Sequence, residues 1–296
     1  MLGSEDNLKF AQAEKNAIAQ QLEQTQKRFD VGLIAITDVK ESQAQYDISF
    51  AQEIDAQNKR AVNLESLRSL IGKVPASLKP LSADIALIIP QPANMERWVD
   101  NGKQNNLSLQ AARFPYDVAR KQIDIIKSNH YPYLGLSVKH DYTSPDGGQL
   151  SSDSKDTSVL LQLTIPVYSG GLTSAKTRQA VLQAEQSRAL RDKTYRQAIQ
   201  KIRENYLGIT TSIAQVKAFK QSLISTQAAH EATQAGFEVG TRTSVDVLAS
   251  LREQYRAEKE YANARYTYVL NLLKLKSAAG ILSKQDVVLI NQWLEH

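Results

Sequence analysis

Residues 236–247 read GFEVGTRTSVDV, and residues 28–39 read RFDVGLIAITDV. The two phrases align without a gap. Phe29 falls on Phe237, Val31 on Val239, Gly32 on Gly240, Asp38 on Asp246 and Val39 on Val247, an offset of 208 residues throughout. Gly72 and Gly280 keep that offset at the far end of the segments that follow. A period this long is not that of a short solenoid unit. It indicates a duplicated half-molecule, and 296 residues cannot hold two complete copies. The second phrase is preceded by a long segment, roughly 100–212, whose counterpart would lie before Met1. The sequence is therefore expected to lack an N-terminal part. Gly3-Ser4 and Leu294-Glu295-His296 read as a fusion scar and the start of an affinity tag, and are expected to carry no function.

Each phrase lies between two helical patterns. Residues 5–30 are rich in Ala, Gln, Glu and Lys and contain no Pro, which favours a helix. Gly32 interrupts it, Thr37 and Asp38 supply N-cap chemistry, and a second helix is expected to run to Gly72. Residues 73–93 carry Pro75, Pro80, Pro90 and Pro92 and read as a connector with one short strand at 84–89. Helices are expected over 94–104 and 107–129. Beyond Gly170-Gly171 a proline-free helix over 172–234 would be roughly 95 Å long. A turn at 238–243, a helix at 244–279 and a short helix at 284–294 complete the pattern.

After the second phrase, Val247, Leu251, Gln254, Glu258, Tyr261, Arg265, Tyr268, Leu272, Leu275 and Ala279 alternate spacings of four and three. That is a heptad seam with apolar ends and a polar middle. The positions 208 earlier are Val39, Gln43, Tyr46, Phe50, Glu53, Gln57, Arg60, Leu64, Leu67 and Ile71. A closed two-helix coiled coil does not tolerate so polar a seam. A wide helical tube does, because the stripe partly faces water; a loosely packed bundle is the alternative.

One region has a different period. In residues 133–143, YLGLSVKHDYT, Leu134, Leu136, Val138, His140 and Tyr142 share a face. In residues 157–168, TSVLLQLTIPVY, Val159, Leu161, Leu163, Ile165 and Val167 do so. Both have the period of two of a strand and predict a hairpin, joined by a polar loop over 144–156. A lone hairpin is marginal in water. Strands of this length and alternation suit a barrel wall between lipid and water. The alternative is an ordinary hairpin packed on a helical core.

Composition narrows the function. There is no cysteine, hence no disulfide and no Cys-based metal site or nucleophile. His130, His140, His230 and His296 lack ligand spacing, so no metal is expected. The net charge of +5 comes from Lys and Arg interleaved with Glu and Asp, a solvated face and not a nucleic-acid footprint. No nucleophile–base pair or phosphate loop is visible, so the chain does not read as an enzyme. No stretch approaches the roughly 20 apolar residues of a membrane helix.

RFDVGLIAITDV with Gln45-Tyr46-Asp47, IPVYSGG at 165–171, GFEVGTRTSVDVL at 236–248 and YANARYTYVLNLLKLKSAAGIL at 261–282 together resemble TolC-type outer-membrane efflux proteins. The resemblance implies a mainly α fold with a small β part. Long antiparallel α-hairpins would form an α-barrel, and the β-hairpin would join a trimeric outer-membrane β-barrel. On that pattern residues 5–72 are an incomplete first helical hairpin and 73–106 an equatorial connector. Residues 107–130 lead to the barrel, 131–170 are the β-hairpin, 171–280 the second helical hairpin and 281–294 a C-terminal equatorial segment. The implied function is a passive exit duct of a tripartite efflux or type I secretion system in a Gram-negative outer membrane, with no cofactor. Its implied partners are two further copies, a periplasmic adaptor, an inner-membrane pump of RND, ABC or MFS type, and lipid. The tips Val31-Gly32-Leu33 and Val239-Gly240-Thr241 would receive the adaptor. Arg242 matches the family's gate arginine, and Thr37 and Asp38 its partners. Phe237 stands where a gate tyrosine can stand, which removes a hydroxyl link. Asp246 would form one carboxylate ring in a trimer, and Ala249 leaves a second ring unmade, so a looser gate is expected. The competing reading, a soluble coiled-coil tether or adaptor without a pore, accounts for the helices and the repeat but not for the alternating hairpin.

Overall fold

A computed structural model describes residues 1–295 apart from 74, 76, 77, 83 and 144–153. The expected polar loop, with Pro145 and Gly147-Gly148, lies outside the described residues as far as Asp153, and so does His296. The described elements are α1 (Leu2–Asp30), α2 (Ile36–Ile71), α3 (Met95–Asn105), α4 (Leu107–Ala111), α5 (Arg113–Ser128), β1 (Tyr133–Thr143), β2 (Ser154–Thr164), α6 (Leu172–Glu238), α7 (Ser244–Ala278) and α8 (Lys284–Asn291). They fall into two units, one of residues 1–105 and 199–296 and one of residues 106–198, with the boundary inside α6.

In the first unit α1 and α2 run antiparallel. Glu5 meets Arg60, Lys15 meets Glu53 and Thr25 meets Ser42, so the contacts converge on the turn at Gly32. The part of α6 in this unit and α7 do the same. Asn205 donates to the Lys274 carbonyl, Asn271 donates to Ser212, and His230 pairs with Ser250. α1 also packs along α7, where Asn7 donates to Asn263 and the Tyr266 hydroxyl donates to Asp6 at 2.6 Å. The main core gathers Trp98, Val99, Ile202, Ile209, Tyr268, Leu272, Leu275 and Trp293. Against it lies the proline-rich connector. The Tyr268 hydroxyl accepts from the Ile88 amide at 2.7 Å, and Arg265 donates to the Ser82 carbonyl at 2.6 Å. The connector forms no strand at 84–89; side chains of α7 hold its backbone groups instead, and a single bridge joins Leu81 to Leu294. Leu294 is half-buried, and Glu295, though exposed, donates its amide N–H to the Pro80 carbonyl. Gly3 lies inside α1, where an added Cβ would meet the Tyr266 ring at 3.3 Å.

The heptad seam of α7 is buried where it is apolar and half-buried at Gln254, Glu258 and Tyr261, while the polar Arg265 is buried with the apolar positions. That of α2 differs from expectation. Its buried positions are Val39, Ser42, Ser49 and Glu53. Gln43, Phe50 and Gln57 are exposed instead, Phe50 by 48 %. The small hydroxyl residues let α1 approach closely, and the stripe rotates to present them.

The second unit holds α4, α5, the β-hairpin and the start of α6. The single helix expected over 107–129 is broken at Ala112, because Pro115 has no N–H to offer the preceding turn. Asn106 caps α4 by accepting from the Leu109 amide at 3.1 Å. β1 and β2 pair antiparallel over eleven residues each, with Leu134 opposite Leu163, Leu136 opposite Leu161 and Val138 opposite Val159. The apolar faces read from the sequence therefore coincide. β2 begins at Ser154, inside the expected loop, and ends at Thr164, four residues short, just before Pro166. The side chains of residues 133–142 and 154–163 are all exposed. Among the described residues no core covers these strands, an arrangement unlike that of an ordinary hairpin packed on helices.

Candidate functional site

The two repeated phrases form the tips of the helical pairs in the first unit, and they close in the same way. Gly32 and Gly240 have φ of 75° and 82°, a conformation that costs an L side chain dearly. At the first tip the Gly32 amide donates to the Phe29 carbonyl and the Leu33 amide to the Arg28 carbonyl, at 2.8 and 2.9 Å. At the second, the Gly240 amide donates to Phe237 and the Thr241 amide to Gly236, at 3.2 and 2.8 Å. These paired bonds are a Schellman closure, which satisfies the last carbonyls of α1 and α6. Beyond them the chain exposes Val31 by 69 %, Leu33 by 73 % and Val239 by 75 %. Gly32, Gly240 and Thr241 are exposed beside them. All six positions expected to receive an adaptor are thus surface residues on turns fixed by backbone geometry.

The copies differ in how the next helix starts. Thr243 caps α7 with a capping box: its hydroxyl accepts from the Asp246 amide, and the Asp246 carboxylate accepts from the Thr243 amide and hydroxyl at 3.0 and 2.9 Å. These bonds, assisted by nearby Arg242, hold the Asp246 carboxyl below its ordinary range. In the first copy the N-cap is Ala35, which has no hydroxyl. Thr37 and Asp38 therefore do not cap α2 as expected; they are the second and third residues inside it. Their side chains make no hydrogen bond or ion pair among the described residues, and Arg242 makes no ion pair there. Among the described residues of one chain, then, Arg242 and its expected partners Thr37 and Asp38 are exposed or half-exposed and not joined to each other. Ala249 is exposed one turn beyond Asp246.

Three features of this site were not read from the sequence. Arg242 lies over Gly236, where an added Cβ would stand 2.7 Å from its Cγ. Thr25, Ser42 and Ser244 form a buried hydroxyl cluster joining α1, α2 and α7, with Thr25 and Ser244 3.2 Å apart. Phe237, only 3 % exposed, is covered by the Arg28 guanidinium at 4.0 Å from its ring centre. The offset of 208 pairs Arg28 with Gly236, Ile34 with Arg242 and Ala35 with Thr243. The positions where the copies disagree were thus a visible signal for Arg28 and Gly236.

The sequence pattern of the outer membrane efflux protein family matches residues 1–73 and 98–281. The chain belongs to this outer membrane efflux protein family. It is 40 % identical to the outer membrane protein TolC of Vibrio cholerae, over all of this chain and 68 % of that protein. It is 30 % identical to the alkaline protease secretion protein AprF of Pseudomonas aeruginosa, over 97 % of this chain and 60 % of AprF. The crystal structure of the Campylobacter jejuni CmeC outer membrane channel superposes with a TM-score of 0.76 at 15 % identity, over 99 % of this chain and 64 % of that one. The chain thus spans about three fifths to two thirds of the length of these relatives. The fold is that of outer membrane efflux proteins, mainly α with a small β-hairpin. The family match includes the hairpin, so the tether reading, which left the hairpin unexplained, is not supported. No described helix is long and apolar enough to cross a membrane.

Proposed function

We propose that the whole protein to which this chain belongs is a trimeric exit duct of the Gram-negative outer membrane. The β-hairpin contributes to a shared β-barrel, and the helical pairs to a tunnel closed at the Gly32 and Gly240 tips. The hairpin carries this reading. Its eleven-residue strands align their apolar faces and remain uncovered. Eleven residues at about 3.4 Å each, tilted by about 40°, match a band about 25 Å tall. Residues 73–106 and 281–294 serve as the belt around the tunnel. The exposed apolar tip residues receive the helical hairpin of a periplasmic adaptor, and an inner-membrane pump of the RND, ABC or MFS type delivers cargo. The likeness to an outer membrane protein and to a protease secretion protein supports efflux and type I secretion. The duct performs no bond chemistry.

Gating follows from groups left free within one chain. Arg242 of one copy links to Asp38 and Thr37 of a neighbour, a charge-assisted contact that is exposed and weak singly, about 0–1 kcal/mol. Three symmetric links act together. Asp246 lines the constriction as a single carboxylate ring. Planar-bilayer conductance of the full-length protein tests this. Arg242→Ser should turn small, intermittent currents into large, steady ones. Absence of current in both forms of a verified trimer would overturn the duct.

A further inference from the structure

We infer that Arg28 and Phe237 form a latch within each chain that holds the two helical pairs together at their tips. The latch supplies a closing contact in place of the hydroxyl link that a phenylalanine at position 237 cannot make. This rests on the gated-duct reading. Arg28 sits on the last turn of α1 and Phe237 on the last turn of α6, two helices from different halves of the repeat. The guanidinium stacks over the ring at 4.0 Å, and Nη1 donates to the Phe237 carbonyl at 3.4 Å. That carbonyl lies at the negative end of α6, so ring face and helix end both attract the cation. Phe237 is buried, which fixes the ring as a platform. One turn inward, Thr25, Ser42 and Ser244 tie α1, α2 and α7 through hydroxyls alone. The two layers differ in kind. The inner one is short-range and dry, and it anchors the helices. The outer one is a long side chain laid on a ring, which can slide off without leaving a buried charge. Swinging the α6–α7 pair away from α1–α2 breaks the outer layer first. Arg28 is thus a positioning residue of the gate, distinct from Arg242, whose proposed partners belong to a neighbouring chain.

The test uses full-length trimers in planar bilayers. Arg28→Met and Phe237→Leu should each raise the conducting fraction about tenfold, and the double variant should add nothing further. Phe237→Tyr keeps the ring face and should stay closed. Arg242→Ser separates the outcomes. If it opens the duct while Arg28→Met behaves as the parent, the latch is wrong and the gate reading stands. If the Arg28 and Phe237 effects simply add, the contact is not shared and the latch is equally overturned. If Arg242→Ser also leaves the duct closed, the gate reading itself fails. A second readout does not depend on conduction. The chain has no cysteine, so spin labels at Gln24→Cys and Glu231→Cys report the separation of the helical pairs directly. Arg28→Met should widen and broaden that distance; an unchanged distribution overturns the latch.

Discussion

Thr243 and Ala35 occupy equivalent places in the two halves of the repeat, and the difference of one hydroxyl changes what the acidic residue three positions on can do. Asp246 is committed to its capping box, and its carboxylate accepts two bonds from Thr243. Asp38 has no such partner and is available to a neighbour. Thr243→Ala should cost about 1 kcal/mol, seen as faster amide exchange at residues 245–248, whereas Ala35→Thr should slow exchange at the start of α2. The pH dependence has a definite sign. The folded pKa of Asp246 is depressed, so its contribution is complete above the ordinary carboxyl value of 3.8 and is lost as pH falls through the lower folded value. Between pH 5 and 7 the cap should not respond; below about pH 4 the second tip should fray before the first. Had the acid sensitivity been equal at both tips, the capping asymmetry would be wrong. The acidic positions themselves were plain in the sequence. Their division of labour was only half visible, because Thr37 beside Asp38 imitates a cap that the backbone actually starts at Ala35.

Among elements, α2 departs most from its sequence pattern. A seven-residue rhythm runs through Val39, Gln43, Tyr46 and Phe50, and large residues outweigh small ones when a seam is read for hydrophobicity. The fold buries Ser42 and Ser49 instead. Close approach to α1 gains dispersion and satisfies hydroxyls, and that outweighs burying Phe50 against a more distant neighbour. Periodicity located both helices and their ends within a few residues, yet it could not tell which of two adjacent stripes faces α1. That choice depends on the partner's shape. Ser42→Leu should overfill the cluster with Thr25 and Ser244 and destabilise by about 1–3 kcal/mol, while Gln43→Leu, one residue away, should leave the urea midpoint nearly unchanged. Equal effects at the two positions would restore the sequence-derived seam. In α7 the same rhythm is obeyed, because the connector brings polar backbone to the seam's middle, where Arg265 and Tyr268 bind it.

For the whole molecule, the hairpin states the environment. Its apolar face, from Leu134 to Val138 and from Val159 to Leu163, was legible because every second residue there is a large aliphatic one on both strands. Its start at Ser154 was not, since Ser154-Lys155-Asp156 has loop composition and becomes strand only through pairing with Asp141, Tyr142 and Thr143. In lipid vesicles, Leu161→Arg in the full-length protein should lower stability by about 2–4 kcal/mol, measured by urea titration. Gln162→Arg, on the opposite face, should be tolerated. A reversed order would put water where lipid is proposed. The ribbon has one further consequence. Among the described residues each strand pairs on one side only, so its other row of amides and carbonyls is open. Hydrocarbon leaves no water to satisfy such rows, and a solitary ribbon cannot rest there as an intermediate. Strands must meet their neighbours before or during entry. The kinetic order of insertion in protein is then greater than one, and dilution slows it more than in proportion.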